Sequence, residues 1–79
     1  MMELTFRLAR QRVGLSLREA AKAAGIGYNT LQKLEGDTSK IKMETAKKLA
    51  DIYCIDPFKL YYGKEEDYIK QVKSEFLAS

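Results

Sequence analysis

The chain has 79 residues, 46% of them hydrophobic, one cysteine and no histidine. Those figures bound it to one domain with a small core. They remove Cys–His and Ser–His–Asp nucleophiles and any His- or thiolate-liganded zinc site within the chain. The net charge of +3 is uneven: residues 1–42 hold eight Lys or Arg against four Asp or Glu, and residues 43–79 hold six against seven.

A first helix is expected from Met2 or Glu3 to Val13. Met2, Phe6, Ala9 and Val13 recur at helical spacing, with Arg7, Arg10 and Arg12 on the flanks. Leu4 and Leu8 lie on the opposite side and invite a cover, from the C-terminal segment or from a second subunit. Gly14 ends this helix and Leu15 is an inward anchor.

Residues 16–36 are the organising stretch. Ser16 and Glu19 form a Ser-x-x-Glu capping box, so a second helix is expected from Leu17 to Ala24. Ala20, Ala21, Ala23 and Ala24 keep it thin enough for close approach. Gly25 suits a left-handed helix end, Ile26 is an inward anchor, and Gly27 restarts the chain as N-cap. A third helix is expected over residues 28–36. Leu31 and Leu34 face inward, and Tyr28, Asn29, Gln32 and Lys33 are left outside. Free N–H groups and the dipole at Gly27 favour a phosphate. The basic excess lies in the same half of the chain, so the stretch reads as a DNA-reading helix-turn-helix.

A polar loop pinned by Ile41 leads to a fourth helix over residues 43–53, with Met43, Ala46, Leu49, Ala50 and Tyr53 inward. Asp56 and Pro57 suit an N-cap and first position, so a short fifth helix is expected over residues 57–62, with Phe58, Leu60 and Tyr61 as its apolar side chains. Residues 64–79 read as a sixth, amphipathic helix. Glu65, Glu66 and Asp67 complement its dipole, and Tyr68, Ile69, Val72 and Phe76 form one stripe for intramolecular packing or dimer contact.

The acidic residues read as capping and surface groups, so no catalytic residues, metal or cofactor are expected and the chain is not expected to be an enzyme. No basic-then-apolar leader and no run long enough to span a bilayer occurs. A cytoplasmic protein with a reduced Cys54 and no membrane partner is therefore expected.

Arg10, then Gly14, Leu15 and Ser16, then Glu19, Ala20 and Ala21, then Gly25 and Ile26, then Thr30 and Leu31, then Leu34, Glu35 and Gly36 stand in a telling order. Leu49, Ala50 and the run from Asp56 to Leu60 continue it. This set resembles the Cro/C1-type, Xre-like helix-turn-helix family over roughly residues 4–62. The resemblance implies an all-α fold: a compact five-helix lambda-repressor-like domain over residues 1–63, with the motif at its second and third helices, plus the C-terminal sixth helix over residues 64–79. It implies a regulator, a repressor by default, that binds a palindromic double-stranded DNA operator as a homodimer with its third helix in the major groove.

By position, the resemblance assigns base reading to Tyr28, Asn29 and Lys33, with Gln32 more peripheral. It assigns phosphate contacts to Gly27, Thr30, Lys40 and Lys42, and an ion pair to Arg10 and Glu35. Leu17 stands where the family very often has Gln on a phosphate, so that contact is either absent or replaced by Arg18 or Lys22. Cys54 stands where Gly often follows the fourth helix. The second reading is an antitoxin or adaptor whose C-terminal helix binds another protein.

Overall fold

The computed structural model describes residues 3–78; Met2, assigned above to the first helix, lies outside them. Five α-helices are present among these residues: α1 (Phe6–Arg12), α2 (Leu17–Ala24), α3 (Tyr28–Gly36), α4 (Met43–Ile52) and α5 (Glu65–Ala78). The expectation of six is therefore corrected. The segment read as a fifth helix over residues 57–62 is a single 3-10 turn, Pro57–Lys59.

Both that correction and the later start of α1 have one cause. Leu4 and Leu60 form an isolated parallel bridge. The Leu4 N–H donates to the Lys59 carbonyl at 3.1 Å, and the Tyr61 N–H donates to the Leu4 carbonyl at 2.8 Å. Leu60 is thus extended, with φ −96° and ψ 146°, and cannot continue a helix. Leu4 is extended for the same reason. Helix α1 begins at Phe6, where the Thr5 hydroxyl accepts from the Leu8 N–H at 3.1 Å. The bridge half-covers Leu4 and leaves Leu8 40% exposed.

Helix α2 starts on the capping box. The Ser16 hydroxyl accepts from the Glu19 N–H at 3.1 Å, and the Ser16 N–H donates to Glu19 Oε1 at 2.9 Å. The Ser16 N–H, and then the Ser16 side chain, hold the Glu19 carboxyl below its ordinary value. Gly25 closes the helix at φ +70°. Ala20, Ala21 and Ala24 are buried, so α3 and α4 pack directly against α2. The core joins them to Phe6, Ala9, Leu31, Ala46, Leu49, Ala50, Tyr53 and Leu60.

Met43, expected inward, is 58% exposed, and Phe58, an apolar side chain of the expected fifth helix, is 87% exposed. Met43 is the first residue of α4, so its side chain precedes the stretch of helix that the core covers. With Pro57, Phe58 and Tyr62 it lines an open surface groove instead.

The start of helix α5 is tied to the loop after α3. The Thr38 N–H donates to the Gly63 carbonyl at 2.8 Å, and the Gly63 N–H donates to the Thr38 hydroxyl at 2.9 Å. The Tyr68 ring meets Tyr61 edge-on at 5.2 Å and is buried. Beyond it, residues 69–77 are all exposed.

Cys54 follows α4 at φ +55°, a left-handed conformation. Arg12 fastens the same corner by donating to the Tyr53 and Cys54 carbonyls at 3.1 and 3.0 Å. The left-handed region disfavours a Cβ by about 1–2 kcal/mol. Cys54→Gly is therefore expected to raise the melting midpoint by about 4–8 °C, the shift that about 1 kcal/mol produces in a domain of this size. A thermal melt of that variant beside Cys54→Ala, which keeps the Cβ and gains nothing, checks this.

Candidate nucleic-acid interface

The turn between α2 and α3 determines what α3 presents. Leu31 and Glu35, one turn apart, are buried, and Leu34 is half-buried. That orientation turns Tyr28, Asn29, Gln32 and Lys33 outward, and all four are exposed, as are Gly27 and Thr30. No acidic residue occurs between Ala20 and Leu34. Gly27 is the N-cap and offers no side-chain bond to the helix, so the first N–H groups of α3 receive no side-chain cap. Lys40 and Lys42 are exposed in the loop after α3, Lys42 as the N-cap of α4.

Two pairs of these candidate residues meet. The first is Arg18 with Tyr28: the guanidinium carbon lies 5.1 Å from the ring centroid, within cation–π range. The second is Arg10 with Glu35. Arg10 Nε donates to Glu35 Oε2 at 2.7 Å and a terminal nitrogen donates to Oε1 at 3.1 Å, while the other donates to the Leu15 carbonyl at 2.9 Å. The carboxylate is 2% exposed. Its hydrogen bond raises the Arg10 pKa above the ordinary value against the opposing effect of burial. One residue of α1 therefore holds both the α1–α2 turn and the last turn of α3.

Two members of this charge cluster escaped the sequence reading. Arg7 Nε lies 3.8 Å from Glu35 Oε1 and 3.0 Å from Glu65 Oε2, linking α1 and α3 to the first turn of α5. In the sequence Glu65 is legible only as a helix-dipole partner, and its charge opposite to Arg7 is the one hint of a pair. Tyr53 stands close enough to feel the cluster. Burial, then the Glu35 charge, push its phenol up to about 12. Its hydroxyl is buried without a hydrogen-bond partner among the described residues.

The C-terminal stripe divides. Tyr68 belongs to the domain interior, whereas Ile69 and Val72 are 46% and 42% exposed and Phe76 is more so. Among the described residues there is no group of three or more His, Cys, Asp or Glu placed to hold a metal ion. No helix among them is long and apolar enough to cross a membrane.

Removing Arg10 takes away both hydrogen bonds of the buried Glu35 carboxylate and leaves it only the longer contact to Arg7 at 3.8 Å, and breaking a buried pair costs about 3–5 kcal/mol in comparable cases. Arg10→Ala is expected to lower the melting midpoint by on the order of 15 °C. A midpoint within a few degrees of the unaltered protein would show the pair to be of no structural consequence.

The model of a helix-turn-helix family matches residues 6–60. No curated protein matches the chain.

Proposed function

The chain belongs to the Cro/C1-type, Xre-like helix-turn-helix family of DNA-binding domains, and from that premise we propose a sequence-specific repressor that occupies a palindromic operator as a homodimer. Domains of this family are DNA-binding regulators and not enzymes. The observation that carries the finer reading is the two-sidedness of α3: Leu31 and Glu35 inward, an uninterrupted polar and cationic row outward.

In this reading α3 enters the major groove. Asn29 pairs with adenine through its amide, and Lys33 donates to guanine O6 and N7. Gln32 lies nearer the groove wall, and Tyr28 stands at the leading end of α3. The Gly27 amides, Thr30, Arg18, Lys40 and Lys42 take phosphates and set the register without selecting sequence. Residues 1–63 act as the DNA-binding unit and residues 64–79 as an assembly element. Ile69, Val72 and Phe76 meet their counterparts in a second copy, which matches a two-fold operator.

Sites selected from a random DNA pool supply the probe. Asn29→Ala and Lys33→Ala are expected to lose about 1–3 kcal/mol at one base pair each and to relax choice there. Lys40→Ala is expected to weaken selected and random duplexes alike and to lower the salt slope by about one. Equal losses on both duplexes for the α3 variants would count against base reading.

Assembly has its own test. Removing residues 64–79 would also remove Tyr68 and Glu65, which belong to the domain, so substitution is the cleaner route. The double variant Val72→Asp, Phe76→Asp is expected to keep its fold, sediment as a monomer and bind the selected operator more than about tenfold more weakly. A dimer that survives this change overturns the role given to α5. A monomeric unaltered protein that loses a different protein partner through it favours the adaptor reading.

A further inference from the structure

Arg18 and Tyr28 stand on neighbouring helices, Arg18 in the first turn of α2 and Tyr28 at the first position of α3. Leu17 is half-buried against the core, so the first position of α2 is committed to packing and carries no polar group. Arg18, the next residue, is exposed. Among the described residues it has no hydrogen bond and no ion pair; its partner is the face of the Tyr28 ring, 5.1 Å away.

A guanidinium stacks through its flat face and donates through its rim. Held against the ring, Arg18 keeps all five N–H donors uncommitted. Tyr28 is the first residue of α3, and helical side chains lean toward the N-terminus of their own helix. Its ring therefore lies over the α2–α3 junction, and α2 is only about 12 Å long, at about 1.5 Å for each of its residues. The arginine is positioned before DNA arrives, which reduces the ordering penalty of binding.

We propose that Tyr28 is a positioning residue: its ring is the platform that holds Arg18 to donate to a backbone phosphate at the leading edge of the motif. This inference rests on the DNA-binding reading and replaces base reading as the main work of Tyr28. The relevant chemistry is an aromatic face, so the hydroxyl is dispensable.

Four variants decide it, measured by fluorescence anisotropy on a duplex selected from a random pool and on its scrambled counterpart across a salt series. Arg18→Gln is expected to weaken both duplexes alike and to lower the salt slope by about one. Tyr28→Leu is expected to weaken both by about two- to fivefold, the range of an exposed cation–π contact, with a flatter slope. Tyr28→Phe is expected to stay within about twofold and keep the full slope, because the platform survives. The combined Arg18→Gln, Tyr28→Leu variant is expected to bind no worse than Arg18→Gln alone.

The platform is overturned by losses that multiply in the double variant, or by a Tyr28→Phe protein as impaired as Tyr28→Leu. A changed base preference with an unaltered salt slope in Tyr28→Leu overturns it equally, since that is direct reading. In each of those results the unaltered protein still prefers its selected duplex. Failure of the underlying reading is different: there the unaltered protein shows no preference between the two duplexes.

Discussion

A single buried carboxylate sets the geometry of this domain. Glu35 sits near the end of α3 with almost no access to solvent, a position that is unfavourable for a charge unless it is paired and fully hydrogen-bonded. Arg10 meets both of its oxygens and uses its remaining nitrogen on the Leu15 carbonyl. A planar fork on a planar carboxylate tolerates little rotation. The pair therefore fastens the far end of α3 to α1 at a defined angle, while Leu31 anchors the middle of the helix in the core. The direction of the outward row from Tyr28 to Lys33 follows from these two attachments. Arg7 carries the same network outward to Glu65, so the first turn of α5 is placed by the charges that orient α3.

The close spacing around that pair depends on small side chains. Three alanines of α2 are buried where α3 and α4 approach, and longer side chains there would push the helices apart. The interior is not perfectly matched, however. The Tyr53 hydroxyl is buried without a partner and its ionisation is opposed by burial and by Glu35. Cys54 adopts a left-handed backbone that glycine would accept more easily. Both imperfections lie at the end of α4, where Arg12 bonds two carbonyls and holds the corner closed.

The domain has a firm side and an open side. Thr38, buried and bonded to Tyr61 and Gly63, ties the loop after α3 to the chain entering α5. Past Tyr68 the helix extends from the body with Ile69 and Val72 exposed. The overall extents of 41 × 21 × 20 Å reflect this projection. The outward row of α3 and the projecting helix are thus attached through one polar network yet present separate surfaces.

What the sequence determined by itself was whatever depends on near neighbours along the chain. The Ser16–Glu19 box, the left-handed Gly25 and the inward spacing of Leu31 and Leu34 were legible as local chemistry, and with them the extents of α2 and α3, whereas the deeper burial of Glu35 was not. The outward row of α3 followed by elimination. What only the tertiary structure decided involves partners far apart in sequence. The bonds between Leu4 and the segment around Leu60 shortened α1 and limited the turn after Asp56 to Pro57–Lys59, because backbone groups used in a bridge are lost to a helix. The same holds for Thr38 with Gly63, Arg7 with Glu65 and Tyr61 with Tyr68. Periodicity ranks which face of a helix is apolar, but it carries no information on which distant backbone will compete for its hydrogen bonds.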